Sequence, residues 1–259
     1  MIKPNVFICE IGSRERLTKS VFKLGVVNDE FADLVRAGHF ANIKCGRENL
    51  LRRPISVCGV YDDEVVFVYE VRGAGTEWLS ERRPGEFLDI HGPLGKGFDF
   101  PGGRILVVGG GIGCPPMLFA AQTMRLFRVD TTAVLGFRNA DSIILKDHFR
   151  AFCDNVYVTT DDGSFGIQGT VAAPLEKLLE KGGYEAVFAC GPRAMLSAVA
   201  SLCARYDTQC QVSLEERMAC GVGACVVCAC ATRIGGVDSM SRVCRDGPVF
   251  DAGEVVWDL

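Results

Sequence analysis

The sequence predicts a multidomain β plus α/β fold: an N-terminal antiparallel β-barrel, a central parallel α/β domain and a small C-terminal module. Three observations predict this order. Short β-forming runs separated by Gly, Asn or Asp fill residues 1–100, and strands alternate with helices over residues 101–214. Over residues 215–259, glycine and cysteine dominate and no helical period remains. A segment this short needs a metal or disulfides to fold.

The barrel is predicted from the composition and spacing of its strands. The run Val65–Val71 is rich in β-branched and aromatic residues, which favour strands. Several short strands at close spacing are typical of a small antiparallel barrel. We expect the only helix of this part near Trp78–Leu79. The predicted strands are Val21–Val27, Ala41–Cys45, Ile55–Val60, Val65–Val71 and Phe87–Ile90.

The α/β domain begins after Pro101–Gly103, where the strand–helix alternation starts. Such alternation indicates a parallel sheet covered by helices. The predicted elements are strand Arg104–Val108, helix Pro116–Phe127, strand Ala133–Phe137, strand Val156–Thr160, helix Val171–Glu180, strand Ala186–Ala189, helix Arg193–Ala204 and strand Gln209–Leu214.

Composition excludes several classes of protein. Of the 259 residues, 48% are hydrophobic and 23% charged, which indicates a globular chain. The net charge is −4 and no run of Lys or Arg occurs, so we expect no nucleic-acid partner. The uncharged stretch Ile105–Met124 could span a bilayer, but its glycines and the pair Pro115–Pro116 favour a strand, a turn and a helix start. We therefore expect no membrane segment.

The cysteines point to a reducing compartment. There are 13, an odd number, and the N-terminal sequence has no apolar signal-peptide stretch. An extracellular disulfide scaffold is therefore disfavoured, and metal-bound thiolates in a cytoplasmic protein fit better.

The strongest motif is a C-x4-C-x2-C run with a fourth cysteine further along the chain, the spacing of plant-type [2Fe–2S] ferredoxins. Four thiolates must converge on two irons, so the first loop has to curl tightly. Gly221 and Gly223 allow backbone angles that a Cβ would forbid. The predicted ligands are Cys220, Cys225, Cys228 and Cys244.

Two alternatives remain open for this motif. A zinc site is one, although zinc ribbons favour two CxxC pairs and here only one occurs. The other concerns ligand identity, since Cys230 could replace Cys228. The two-residue spacing favours Cys228.

Two motifs in the barrel fit a flavin. In Arg53-Pro54-Ile55-Ser56, at the start of a strand, the guanidinium can pair with a pyrophosphate and the hydroxyl can bind a flavin ring edge. About twenty residues on, Gly73-Ala74-Gly75-Thr76 forms a glycine-rich turn into a short helix, a place for phosphate. Each motif alone is equally compatible with a solvated turn, but their order in one barrel strengthens both.

A nicotinamide site is predicted at the edge of the α/β sheet. The segment Gly109–Pro116 follows a strand and opens a helix, as GxGxGxxP rather than the GxGxxG fingerprint. Its glycines let a phosphate approach the helix N-terminus. Cys190-Gly191-Pro192 ends another strand at the edge where open α/β sheets bind ligands.

In this order, the motifs resemble the ferredoxin–NADP reductase superfamily. The tail, Ser213–Cys225 with Arg242–Phe250, resembles the electron-transfer subunit of class 1B (NAD-dependent) dihydroorotate dehydrogenase, an enzyme of pyrimidine biosynthesis. The resemblance covers the whole chain. It implies a barrel that binds FAD, a Rossmann-like NAD(H) domain, a [2Fe–2S] module and a separate FMN-containing catalytic subunit, in a heterotetramer with two of each.

The resemblance also assigns residues. The flavin would be held by Arg53, Pro54, Ile55, Ser56, Glu70, Val71, Arg72, Gly75 and Thr76. The nicotinamide site would be lined by Gly109, Gly111, Gly113, Cys190, Gly191 and Pro192. No residue is predicted to act as a catalytic acid or base, since the protein would supply position and tuning to its cofactors.

The implied function is electron transfer from the partner's FMN through the cluster and FAD to NAD⁺. Two other functions fit the motifs: a reductase subunit that links ferredoxin, sulfur compounds or hydrogenase to NAD(P)H, and a non-catalytic redox sensor. NADH and NADPH are not separated by the sequence. Arg138 could bind a 2′-phosphate and Asp161 and Asp162 could oppose it, so NAD is favoured by the resemblance alone.

Overall fold

The N-terminal part of the chain is a closed six-stranded barrel with the order β1-β2-β5-β4-β3-β6. The structure is a computed structural model that describes residues 5–257. All neighbouring barrel strands are antiparallel. The elements are β1 (Asn5–Arg16), β2 (Val21–Val27), α1 (Asp29–Leu34), β3 (Phe40–Ile43), β4 (Arg53–Tyr61), β5 (Glu64–Glu70), α2 (Ala74–Ser80) and β6 (Phe87–Leu94).

Strand β1 closes the barrel by pairing with both β2 and β6. Phe7, Cys9 and Ile11 face the core, while their neighbours in sequence are exposed, as the two-residue period of a strand requires. Helix α1 corrects the expectation that α2 is the only helix here. It forms because the side chain of Asn28 accepts a hydrogen bond from the Phe31 N–H (2.9 Å) and so caps the helix.

The predicted parallel α/β domain follows, with its seven-stranded sheet in the order β10-β9-β8-β7-β11-β12-β15. Every pair is parallel except β12 with β15. The elements are β7 (Ile105–Gly110), α3 (Cys114–Leu126), β8 (Thr131–Phe137), α4 (Lys146–Phe152), β9 (Asn155–Thr160), β10 (Ile167–Gln168), α5 (Ala172–Lys181), β11 (Ala186–Cys190), α6 (Arg193–Arg205) and β12 (Gln209–Ser213).

The strand order reverses beside β7. The chain first moves from β7 outward to β8 and β9, and then returns to place β11 on the other side of β7. Such a switch point leaves a crevice at the carboxyl ends of the two strands, where ligands of open α/β sheets bind. Here the crevice lies between the residues that follow Gly110 and Cys190.

The barrel and the α/β domain are packed together through α3. Its Gln122 side chain donates to the carbonyl oxygen of Val60 in β4 (2.8 Å), and the buried residues of both domains form one continuous core. The start of α3 is thereby held beside the barrel.

The tail forms a hairpin and then returns to the large sheet. Its strands are β13 (Ala229–Ile234), β14 (Val237–Arg242) and β15 (Val249–Asp251). Strand β15 pairs with β12, and just before it the Gly247 carbonyl oxygen accepts a hydrogen bond from the Lys96 N–H of the barrel (2.6 Å). Among the described residues, no helix is long and apolar enough to cross a membrane.

Candidate functional site

A cleft of about 200 Å³ lies where the barrel, the α/β domain and the tail meet. All three parts supply walls, so the cleft exists only in the assembled chain. Its lining residues are Phe40, Pro54, Ile55, Ser56, Val68, Tyr69, Glu70, Arg72, Thr76, Ile112, Leu214, Glu215, Glu216, Met218 and Pro248. Six of the predicted flavin residues are in this list: Pro54, Ile55, Ser56, Glu70, Arg72 and Thr76.

Arg53 and Gly75 form a second feature beside the cleft. A Cβ on Gly75 would lie 2.7 Å from Cζ of Arg53, so the guanidinium rests directly on the first turn of α2. Asn49 accepts a hydrogen bond from Nη2 of Arg53 (3.2 Å) and holds the group there. A fixed positive charge against a glycine-rich turn fits a pyrophosphate.

The turn before α2 is fixed by Thr76. Its Oγ1 accepts hydrogen bonds from the backbone N–H groups of Arg72 (2.9 Å) and Gly73 (3.3 Å). Arg72 also forms an exposed ion pair with Glu70 (2.7 Å), which spans Val71. The two predicted flavin motifs therefore lie on adjacent elements, although sixteen or more residues separate them in sequence.

The predicted nicotinamide residues meet at the crevice of the sheet. Gly109 and Cys190 are register partners in β7 and β11. A Cβ on Gly191 would lie 2.6 Å from Cε of Met195, and one on Gly110 would lie 3.0 Å from Cδ of Pro192. By contrast, Gly111, with φ +53°, has open space around it. The crevice floor is thus backbone, which a phosphate can approach.

The Cys190 thiol is buried beneath this crevice. Burial, and next the negative charge of Glu215, raise the pKa of the thiol well above its usual range. It therefore stays protonated at neutral pH and acts as a small buried side chain, not as a nucleophile.

The candidate 2′-site residues also lie together. The N–H of Asp161 donates to the carbonyl oxygen of Phe137 (3.0 Å), and the N–H of Asp162 donates to that of Arg138 (3.4 Å). Hydrogen bonds from Ser164 lower the pKa of Asp162. The backbone contacts thus bring Arg138 and both aspartates to one edge of the sheet.

The four predicted cluster cysteines form two pairs. The N–H of Cys225 donates to the sulfur of Cys220 (3.4 Å), and the N–H of Cys244 donates to the sulfur of Cys228 (3.4 Å). Within residues 5–257, no three His, Cys, Asp or Glu side chains are grouped as around a single metal ion. Two pairs of thiols suit two irons, because four cysteines ligate a [2Fe–2S] cluster.

Backbone N–H groups favour the thiolate form of Cys220. Burial raises the pKa of this thiol, but N–H groups of Cys225 and Val222 that point at the sulfur outweigh the burial and hold the pKa at about 6. Gly221 and Gly223 have φ of +73° and +81°, as predicted from the tight loop. A thiolate is the form that binds metal.

Cys230 is as buried as Cys228 but belongs to β13, where it is paired in register with Ser241. Burial raises the pKa of its thiol to about 11. Among the described residues, the sulfur that accepts the hydrogen bond from the Cys244 N–H is that of Cys228, and this contact supports Cys228 over Cys230 as the ligand.

Sequence reasoning missed several residues of the cleft. Phe40 and Pro248 line it from the barrel and the tail. Outside the cleft, Asn42 contacts the cluster loop. Among the missed residues, Leu214, Glu215 and Glu216 had a possible signal, since they directly follow the end of β12 at the ligand edge of the sheet.

Comparisons with known proteins show what the chain is similar to. Residues 215–256 match the iron-sulfur cluster binding domain of dihydroorotate dehydrogenase B. A solved structure described as an NADH-dependent reduced ferredoxin-NADP oxidoreductase, in work on flavin-based electron bifurcation, superposes with a TM-score of 0.87 at 29% identity, covering 96% of this chain and 90% of that one. A ferredoxin reductase of carbazole 1,9a-dioxygenase shares the fold, with a TM-score of 0.67 at 20% identity over 80% of this chain and 67% of that one.

The fold and sites therefore define a reductase of the ferredoxin–NADP reductase type with an iron–sulfur domain. Its relatives include "Dihydroorotate dehydrogenase B (NAD(+)), electron transfer subunit" of Caldanaerobacter subterraneus subsp. tengcongensis, 40% identical over 85% of this chain and 87% of the relative. The subunits of that name from Geobacillus thermodenitrificans (38% identical, covering 94% and 96%) and Streptococcus pneumoniae R6 (37%, covering 95% and 97%) also match. The chain belongs to this family of electron transfer subunits.

Proposed function

We propose that the chain passes electrons from the FMN of a separate dihydroorotate dehydrogenase catalytic subunit, through a [2Fe–2S] cluster and FAD, to NAD⁺. One observation carries the proposal: the three parts of the chain converge on one cleft. The cleft is lined by flavin residues, by Ile112 of the nicotinamide crevice and by the tail segment that leads into the cluster loop. The FAD would convert between the single electrons of the cluster and the electron pair carried by NADH.

The chain's own residues bind and orient in this scheme. Arg53 and the turn at Gly75 would hold the FAD pyrophosphate, because the guanidinium sits on a backbone cradle that a side chain would fill. Pro54, Ile55 and Ser56, with Glu70 and Arg72 opposite, would hold the flavin ring in the cleft. Val71 and Thr76 would shape the turn between ring and pyrophosphate.

The nicotinamide would enter from the sheet. Gly109, Gly111 and Gly113 would let its phosphates approach α3, and Cys190, Gly191 and Pro192 would form the opposite wall. Asp161 and Asp162, beside Arg138, support NAD rather than NADP.

The partner would dock at the exposed side of the cluster loop. Cys225 is exposed, and three valines around it, Val222, Val226 and Val227, are 42%, 55% and 53% exposed. A group of exposed apolar side chains beside an electron-transfer site favours a protein interface. We extend the proposal to a heterotetramer with two copies of each subunit, in the cytoplasm, where thiolates stay reduced.

Anaerobic titration with NADH tests the proposal. The flavin absorbance should bleach, and an EPR signal of a reduced [2Fe–2S] cluster should follow. With the FMN subunit added, dihydroorotate should drive NAD⁺ reduction. A protein that contains iron but does not respond to NADH or NADPH would instead support the redox-sensor reading.

A second function is favoured by one observation, the fold match to the NADH-dependent reduced ferredoxin-NADP oxidoreductase chain. A subunit of such an enzyme would exchange electrons with ferredoxin and NADP(H). Reduced ferredoxin and dihydroorotate, offered separately to the purified native complex, distinguish the two functions. The sequence relatives and the cluster domain favour dihydroorotate.

A further inference from the structure

Asn42 is a buried amide with no hydrogen-bonding partner. It lies in β3, is 1% exposed, and both Oδ1 and Nδ2 lack a partner in the described structure. Buried polar side chains are nearly always hydrogen-bonded, because a buried amide without a partner has lost its hydrogen bonds to water without replacing them. A group of this kind therefore points to a ligand at its position.

The amide is aimed at the cluster loop. A Cβ on Gly221 would overlap Nδ2 of Asn42 and would lie 3.1 Å from Cδ1 of Leu94. Gly221 directly follows the predicted ligand Cys220, and its φ is +73°. The glycine is thus required both by its backbone angle and by the approach of the asparagine.

The backbone of Asn42 is held in place from the opposite side. The Arg52 guanidinium donates to the carbonyl oxygen of Asn42 (3.4 Å) and to that of Asp89 (3.0 Å), and forms an ion pair with the Asp89 carboxylate (2.8 Å). These contacts tie β3 to β6, so the amide is positioned by the barrel and not by the loop it faces.

The same barrel face carries the flavin cleft. In the β3–β4 pair, Asn42 is opposite Pro54 and Phe40 is opposite Ser56. Side chains directly opposite each other in a sheet lie on one face. Because Phe40, Pro54 and Ser56 line the cleft, Asn42 stands on the flavin face of the barrel while its amide faces the cluster loop.

We propose that Asn42 is a positioning residue for the cluster, donating a hydrogen bond from Nδ2 to a sulfur at the Cys220 end and so raising the reduction potential of the cluster. The inference rests on the proposed [2Fe–2S] cluster. A donor stabilises the reduced cluster more than the oxidised one, because the reduced cluster carries the larger negative charge. The contact also fixes the cluster loop against the flavin face.

Redox titration of the full chain with FAD and cluster bound, followed by EPR, tests this role. In Asn42→Leu, which keeps the branched shape but removes the donor, the cluster midpoint should fall while the FAD midpoint stays unchanged. Asn28→Ala is the matched control: it removes another barrel asparagine with a structural hydrogen bond, and the cluster midpoint should not move.

An unchanged midpoint in Asn42→Leu, with normal iron content, would overturn the inference. If that variant fails to bind iron, a measurement on the wild-type protein tests the inference instead. With the asparagine side-chain amides labelled with ¹⁵N, pulsed EPR of the reduced cluster should show a coupled nitrogen, since no asparagine lies within residues 215–256. No coupling would overturn the role of Asn42 alone, whereas a wild-type protein without a [2Fe–2S] signal would overturn the proposed function as well.

Discussion

Gly113 and Cys190 meet backbone to backbone, since a Cβ on Gly113 would overlap the carbonyl oxygen of Cys190. The two walls of the nicotinamide crevice are therefore in direct contact at this point. A side chain at position 113 would therefore have to separate β11 from the start of α3.

Gly113→Ala should weaken NADH binding at least tenfold, which corresponds to about 1.4 kcal/mol. The added methyl group has to push the walls apart, and such overpacking also lowers the free energy of unfolding by about 1–3 kcal/mol. Isothermal titration with NADH measures the first effect. Gly253→Ala, in the tail, is the control and should bind NADH normally; equal affinity for both variants would contradict the assigned crevice.

Cys228→Ser should lose the iron–sulfur cluster, while Cys230→Ser should keep it. The sulfur of Cys228 accepts a hydrogen bond from the Cys244 N–H, whereas Cys230 is paired with Ser241 in the β13–β14 hairpin. Iron per polypeptide and the EPR signal after reduction measure the outcome. The two variants control for each other, since each replaces one buried thiol by a hydroxyl, and the reverse pattern would change the ligand assignment.

Val226→Asp should weaken association with the FMN subunit at least tenfold without destabilising the chain. Val226 is exposed and has φ +61°, a strained angle for a β-branched residue that Asp adopts more readily. The midpoint temperature of thermal unfolding should thus be unchanged or slightly higher. Val6→Asp, at a 51% exposed valine of the barrel, should leave association unchanged. Normal association of Val226→Asp would move the proposed interface elsewhere.

Acid should destabilise the barrel through His39. This side chain is 7% exposed, and its Nδ1 accepts a hydrogen bond from the Arg36 N–H (3.0 Å). Burial, and then the charge of Arg36, lower the pKa of His39 from 6.5 to about 4. The unfolded chain therefore binds this proton more readily, so the histidine's contribution to stability is complete above pH 6.5 and is lost as the pH falls from 6.5 to 4.

The loss should approach about 3 kcal/mol, since each unit of pKa difference corresponds to about 1.4 kcal/mol. Urea unfolding at several pH values between 4 and 7 measures the slope. His39→Gln should flatten it, and a slope that stays the same in this variant would contradict the assignment to His39.

Local patterns predicted most of the fold. Strand β2 was predicted at its observed bounds, because it is rich in β-branched and aromatic residues and ends before Asn28. Elements β7, α3 and β11 were predicted within a few residues, because the two strands are apolar runs that end next to a glycine and the helix starts at a proline pair. Strand β1 was missed, although its buried residues alternate regularly, because charged residues occupy the outward positions over much of its length. Helix α4 was missed as well, since it is only two turns long.

The residues of the candidate site also fall into two groups, those that a local motif revealed and those that it could not reveal. Motifs that lie within one short stretch, such as Gly109–Gly113 and Cys220–Cys228, could be found from spacing. Asn42 could not, because its significance depends on a contact with Gly221, which is far away in sequence. The division of the chain into units at residues 100 and 214 remains a prediction.

Strand β15 makes the cluster segment difficult to detach. The residues from Gly247 to Asp251 bond to Lys96 of the barrel on one side and to β12 on the other, and the N–H of Leu214 donates to the Pro248 carbonyl oxygen (2.9 Å). Deleting the tail would uncover a sheet edge and remove one wall of the flavin cleft. The iron–sulfur segment is therefore not an interchangeable cassette, either in evolution or in engineering. A graft onto another reductase has to include β15 together with its contacts to the barrel and to β12.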